Sequence, residues 1–121
     1  MPVQSFRDLE AWQIGMELAS RIYVLTRTFP PEERYGLAAQ LRRAAAGVPA
    51  NISEGHQQGT KAYLHYVTVA LGSLAEAETH LELAKQLSMA SHDDVTPVLE
   101  LAARLRQVLH GLRRSLLRHG W

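Results

Sequence analysis

The chain has 121 residues, 46% of them hydrophobic, and its 13 lysines and arginines against 12 acidic side chains give a formal net charge of +1. This composition excludes a disordered or low-complexity protein, and the length suits one domain, residues 1–121, around a single core. The absence of cysteine excludes disulfides, thiolate metal sites and cysteine nucleophiles.

Turn-forming residues divide the sequence into four predicted helices, at about Arg7 to Thr28, Glu33 to His56, Lys61 to Ala90 and Asp93 to Arg118. Pro30 and Pro31 stop the first helix because neither can continue it. Gly59 or Thr60 is placed to cap the third helix, and the fourth begins after Ser91. Connections this short make consecutive helices antiparallel. The sequence therefore predicts an all-α, up-down four-helix bundle.

The first predicted helix is apolar on two opposite faces. One face holds Leu9, Trp12, Met16, Ala19 and Tyr23, and the other holds Ala11, Ile14, Leu18, Ile22 and Leu25. Because one bundle core buries one face of a helix, the second face predicts an apolar partner, most simply another copy. A wide core face with scattered surface leucines is the alternative. We take the following residues as candidates for an oligomer interface: Ile14, Leu18, Ile22, Leu25, Val69 and Gly72.

The second predicted helix contains a proline. Pro49 has no amide to donate to the carbonyl of Ala45, and its ring crowds the same turn. We therefore expect a helix that is kinked at Pro49, or two helices joined at Val48-Pro49. Gly55 is expected to end the helix as its C-terminal cap.

Polar residues line one edge of this helix if it continues through Pro49. They recur at spacings of three and four residues and are Gln40, Arg43, Gly47, Asn51 and Glu54. They could bind a ligand, or form a hydrogen-bonded seam in which Glu54 pairs with an arginine and Asn51 bonds carbonyls that the proline releases. No histidine, thiol or hydroxyl is aligned with them, so we favour the structural seam.

Single apolar stripes at helical spacing run along the other helices and predict their core faces. In the second helix the stripe is Leu37, Leu41, Ala45, Val48 and Ile52; in the third it is Tyr63, Val67, Ala70, Leu74, Ala77, Leu81 and Ala84; in the fourth it is Val98, Ala102, Leu105, Leu109, Leu112 and Leu116.

Nothing in the sequence indicates catalysis or a cofactor. The six histidines are scattered, and no two are three or four residues apart, as ligands on one helix face would be. Glu78 and Glu82 are spaced as neighbours on a helix, but no Glu-x-x-His accompanies them. We therefore expect a non-enzymatic protein that binds neither a metal nor a cofactor.

Arginine makes up eleven of the thirteen basic residues and is concentrated in the last helix. Because arginine suits bidentate contact with phosphate, we take the following as candidates for nucleic-acid binding: Arg42, Arg43, Arg104, Arg106, Arg113, Arg114 and Arg118. A solvated charged face is the alternative for the five in the last helix, because they spread around its polar side. A third possibility is a scaffold that binds another protein through an apolar helix face.

Location follows from what the sequence lacks. It contains no apolar run of the ~20 residues that span a bilayer, and its first residues do not have the order of a signal peptide. We expect a cytoplasmic protein without membrane contact.

Several short motifs carry a family resemblance. They are Phe6, Leu9 and Trp12; Tyr23, Phe29-Pro30 and Glu33; Gln40-Leu41-Arg42-Arg43-Ala44; Pro49-Ala50-Asn51-Ile52-Ser53-Glu54-Gly55; and Gly72-Ser73-Leu74-Ala75-Glu76. In this order they resemble the bacterial four-helix-bundle family whose founding members are encoded in intervening sequences of large-subunit ribosomal RNA genes. The chain is similar, more distantly, to the accessory variability protein of diversity-generating retroelements.

The resemblance implies a non-enzymatic bundle that assembles as a ring, a pentamer with a central channel. The retroelement proteins are basic and bind nucleic acid and a reverse transcriptase. The present chain departs from them in its net charge of only +1.

Overall fold

The computed structural model describes residues 5–119, apart from the side chain of Thr60, so both ends of the predicted domain lie outside the described residues. Its four long helices are α1 (Glu10–Thr26), α2 (Leu37–Gln58), α3 (Thr60–Gln86) and α4 (His92–His119). Short 3-10 helices at Phe6–Asp8 and Pro31–Glu33 precede α1 and α2. The predicted all-α four-helix bundle is confirmed.

The first helix begins later than predicted. Ser5 and Asp8 form a capping box around the 3-10 helix Phe6–Asp8, and Leu9 then has an extended backbone with ψ of 128°. The chain therefore turns before α1 starts at Glu10.

Each helix packs against two others. In the described part of the chain α1 contacts α2 and α4, α3 contacts α2 and α4, and the diagonal pairs do not meet. The stripes predicted for α2, α3 and α4 form this core; Leu37 and Leu112 are half-buried, and all the others are buried. No helix within residues 5–119 has the length and apolar character needed to cross a membrane.

The predicted interface on α1 is wrong. Ile14, Leu18, Ile22 and Leu25 are at most 6% exposed and pack inside the single chain, so a second copy has no access to them. The opposite face faces outward, with Met16 and Tyr23 each 43% exposed. Helical periodicity identified both apolar faces of α1, but the face that we predicted as the interface is the one that lies in the core.

Pro49 lies inside a continuous helix. α2 runs through it without interruption, which contradicts the alternative of two helices joined at Val48-Pro49. The Pro49 ring is buried against α1, where a Cβ atom at Gly15 would lie 3.5 Å from it. A glycine and a proline thus meet where α1 and α2 pack together.

Gly59, not Gly55, ends the second helix. Gly59 has a φ of 73°, which glycine adopts without strain, and its amide donates to the carbonyl oxygen of Gly55 over 3.0 Å. Gly55 is instead buried within α2, at a close approach of α3. The sequence therefore placed the cap four residues too early.

Candidate interaction surfaces

An open groove of about 690 Å³ runs between α1 and α2 on the outside of the bundle. We call it the α1–α2 groove, and it is lined by Phe6, Arg7, Trp12, Met16, Ala19, Ser20, Tyr23, Val24 and Arg27 on one side and by Ala46, Pro49, Ala50 and Ser53 of α2 on the other. Most of these side chains are apolar, and the outward face of α1 provides the large ones. The groove therefore exposes apolar surface that the chain does not cover.

The exposed side chains of the groove are large and apolar. Val24 is 57% exposed, more than either Met16 or Tyr23. Trp12 is half-buried because the Phe6 ring packs edge-on against it, with ring centroids 5.4 Å apart. Methionine and aromatic residues are enriched at protein interfaces.

The two ends of the groove are cationic. The Arg7 guanidinium lies 4.5 Å from the centroid of the Phe6 ring at the start of α1, and Arg27 directly follows the last residue of α1. Within residues 5–119 neither arginine forms an ion pair. A partner with carboxylates at the ends of an apolar segment would match this surface.

Helical periodicity did not predict all of this surface. Val24 lies eight residues after Met16 and so shares its face of α1, but its spacing alone did not mark it as an interface candidate. The other two interface candidates lie on the outer side of α3, where Val69 is 37% exposed and Gly72 is exposed. Neither of them lines the groove.

The polar edge of α2 forms contacts within the chain. The Arg43 guanidinium donates to Gln40 Oε1 over 2.5 Å and lies 3.4 Å from the Glu76 carboxylate of α3. Glu54, which we predicted to pair with an arginine, is exposed and forms no ion pair in the part of the chain described. Arg43 therefore links α2 to α3.

Asn51 bonds its own helix. Its Nδ2 donates to the carbonyl oxygen of Gly47 over 2.7 Å. The carbonyl that Pro49 leaves without an amide is that of Ala45, one turn before Pro49. Asn51 therefore does not bond the carbonyl that the proline releases, which is the bond that we predicted. Its hydrogen bond is nevertheless a structural one, in line with the structural seam that we favoured over a ligand site.

The candidate arginines of α4 divide into two groups. Arg104 lies 3.5 Å from the Glu10 carboxylate of α1, and Arg106 forms an ion pair with Glu78 of α3. These two connect helices. Arg114 and Arg118 are exposed, Arg113 is half-buried, and none of the three pairs with a carboxylate of the described residues.

Arg42 holds α2 against the end of α1. Its Nε donates to Thr26 Oγ1 over 2.7 Å, and its guanidinium lies 5.0 Å from the centroid of the Tyr23 ring. Thr26 is a buried polar residue, and its hydroxyl in turn donates to the Ile22 carbonyl. Arg42 is half-buried, and its contacts fix its position.

His56 and Tyr63 are titratable side chains that pack together at the interior of the bundle. Among residues 5–119 no group of three histidines or acidic residues is close enough to hold a metal ion. Tyr63 is fully buried, and burial raises its pKa to about 12 because the charged phenolate would lose its solvation. The His56 ring packs edge-on against it at 5.5 Å.

Comparison with known proteins gives the family and the fold. No curated protein matches the sequence. A solved structure of a protein of unknown function from the S23 ribosomal protein family of Bacteroides thetaiotaomicron superposes with a TM-score of 0.79 at 21% identity, covering 85% of this chain and 97% of that one. Residues 7–111 match the model of the 23S rRNA-intervening sequence protein family, and the chain belongs to that family.

Proposed function

We propose that the protein is a non-enzymatic subunit of a homo-oligomer, and that a neighbouring copy packs on the α1–α2 groove. The observation that carries the proposal is the exposure of Met16, Tyr23 and Val24 side by side in a groove with Trp12. Contiguous exposed apolar surface of this kind marks interaction sites. A ring, and specifically a pentamer in the cytoplasm, is the assembly that we propose from the family resemblance.

The mass of the particle in solution tests this proposal. Light scattering on the eluting protein should give a multiple of the 13.5 kDa chain mass. The double variant Met16→Lys/Val24→Lys should shift to a lower mass at the same concentration, because it places two charges in the apolar contact. A wild-type mass of one chain at about 100 μM would contradict the proposal, since stable interfaces persist far below that concentration.

A matched control separates assembly from folding. Tyr35 and Leu117 are also exposed, at 86% and 60%, and lie outside the groove. The variant Tyr35→Lys/Leu117→Lys should keep the wild-type mass, and circular dichroism should show the same helix content in both variants. Equal dissociation of both would show that added charge alone separates the subunits.

A different protein is the alternative occupant of the groove, which would make the chain a scaffold. An apolar contact of either kind should resist salt, because burial of apolar surface does not depend on screened charges. If the wild-type protein is monomeric, the same lysine variant becomes the negative control in a search for that partner.

Nucleic-acid binding is a second candidate function. It is supported by Arg113, Arg114 and Arg118, whose charges no carboxylate of the described residues neutralises, and an oligomer would multiply them. The ion pairs of Arg104 and Arg106 count against those two as contacts to phosphate.

Fluorescence anisotropy with generic RNA and DNA at rising salt tests this second function. Binding should weaken steeply between low and physiological salt, and Arg114→Ala/Arg118→Ala should weaken it more than Arg104→Ala/Arg106→Ala. If the two double variants weaken binding equally, the net charge of the protein and not a defined surface is responsible for the binding. No binding at low salt would remove this candidate.

A further inference from the structure

A small pocket lies where the end of α1 meets the start of α2. Its volume is about 330 Å³, at the lower end of the range for ligand sites. It is lined by Thr26, Arg27, Phe29, Pro30, Pro31, Arg34, Ala38 and Arg42. Three of the eight lining residues are arginines and none is acidic, so the pocket is cationic.

The three arginines come from separate elements. Arg27 follows α1, Arg34 follows the 3-10 helix Pro31–Glu33, and Arg42 belongs to the second turn of α2. The segment between them is held in place by the buried Phe29 ring and by two prolines whose φ angles are fixed. The fold therefore brings together charges that are up to 15 residues apart in the sequence.

None of these three charges is neutralised within the described chain. Arg21, Arg43, Arg104 and Arg106 each have a carboxylate partner. Arg27, Arg34 and Arg42 have none within residues 5–119, although like charges repel when they gather at one place. The pocket thus lacks the counterion that these four arginines have; Arg7, Arg113, Arg114 and Arg118 also lack one among the described residues, but they do not line this pocket.

The end of α1 does not need these arginines as caps. The Thr26 hydroxyl donates to the carbonyls of Ile22 and Tyr23, and the Thr28 hydroxyl donates to that of Leu25 over 2.7 Å. Backbone amides of Arg27 and Thr28 bond carbonyls of the same turn. Neither Arg27 nor Arg34 therefore caps α1. The Arg34 guanidinium lies 5.7 Å from the centroid of the exposed Tyr35 ring, a contact that leaves its N–H groups able to bind an anion.

We propose that this pocket binds a phosphate group, with Arg27 and Arg34 as direct donors and Arg42 as a third, prepositioned cation. A phosphate offers oxygens to several guanidinium groups at once, whereas a carboxylate offers two. Arg42 is held by Thr26 and the Tyr23 ring, so it loses little freedom when the ligand binds. The site does not depend on nucleic-acid binding by α4, and it shares Arg27 with the α1–α2 groove.

Calorimetric titration of the full-length protein with inorganic phosphate in a low-salt buffer at pH 7.5 tests the proposal. We expect a dissociation constant below about 1 mM and acetate binding at least ~10-fold weaker. Titration with adenosine monophosphate, compared with adenosine, tells whether the pocket binds free phosphate or the phosphate group of a larger ligand. If the nucleotide and free phosphate bind equally tightly, the pocket recognises the phosphate alone. If the nucleotide binds more tightly, the pocket recognises a phosphorylated ligand; both results support the site.

Two double variants, each of which removes two positive charges, show where the phosphate binds. Arg27→Gln/Arg34→Gln should weaken binding by at least ~10-fold, while Arg21→Gln/Lys61→Gln, which removes two exposed positive charges that do not line the pocket, should leave it unchanged. All four side chains are exposed, so both proteins should unfold at the wild-type temperature without phosphate. No heat up to about 10 mM phosphate, equal loss in both variants, or acetate binding as tight as phosphate would each overturn the proposal.

Discussion

Gly55 of α2 lies directly against Tyr66 of α3. A Cβ atom at position 55 would come 2.7 Å from Tyr66 Cβ and 3.3 Å from Tyr63 Cα. The two helices can pack this closely only because residue 55 has no side chain. The glycine that resembles a helix end in the sequence is therefore a packing residue.

Gly55→Ala should destabilise the protein. The added methyl group has no space, so α3 must shift, and overpacking of this kind costs about 1–3 kcal/mol even though alanine favours helix. Urea unfolding followed by circular dichroism measures the change in the free energy of unfolding. Gly72→Ala is the control, since a Cβ atom there meets no described atom within 4 Å; it should stabilise the chain by up to about 1 kcal/mol. A neutral Gly55→Ala would show that α3 moves without cost.

Gly59→Ala should also destabilise the protein, for a different reason. Space is available, because no described atom lies within 4 Å of the Cβ position, but the φ of 73° strains any residue with a side chain. The expected loss is about 1–2 kcal/mol by thermal unfolding. Gly59→Asn should lose about as much, because the ψ of 172° puts residue 59 outside the left-handed helical region that asparagine tolerates. Full recovery with asparagine would point to a cause other than this backbone conformation.

Thr26→Val should cost about 1–3 kcal/mol, because it keeps the shape of the side chain and removes the acceptor of the Arg42 Nε hydrogen bond. Thr79→Val is the matched control: Thr79 also donates to the carbonyl four residues earlier, but it is exposed and accepts from no arginine among the described residues. Its loss should stay within about 0.5 kcal/mol. Chemical unfolding of both variants decides between them.

Stability should fall as the pH rises above 10. The unfolded chain releases the Tyr63 proton near pH 10, while burial raises the pKa of the folded phenol to about 12. Between these values the unfolded state binds fewer protons, so its population increases with pH. The stability that the Tyr63 phenol contributes below pH 10 therefore decreases by about 3 kcal/mol as the pH rises to about 12. Tyr63→Phe should unfold with a smaller decrease over the same range. Parallel curves for the two proteins would mean that other groups control alkaline unfolding.

Helical periodicity and turn residues were enough to predict the fold class and most of the core. The stripes of α2, α3 and α4 each had one apolar face, so helical periodicity had a single answer, and residues such as Tyr63, Leu74 and Leu105 are buried as predicted. The short connections determined the order of packing. The family resemblance likewise came from motifs that are local in the sequence.

Tertiary structure alone decided which face of α1 is buried. Both faces of α1 are apolar. Periodicity shows which faces of a helix are apolar and which are polar, but it does not show where the neighbouring helices lie. It also decided that Gly55 packs against Tyr66, and that Arg27, Arg34 and Arg42 line one pocket. Each of these facts depends on how separate segments meet in space. A local pattern cannot contain that information, because the same residues would show the same spacing in any arrangement of the helices.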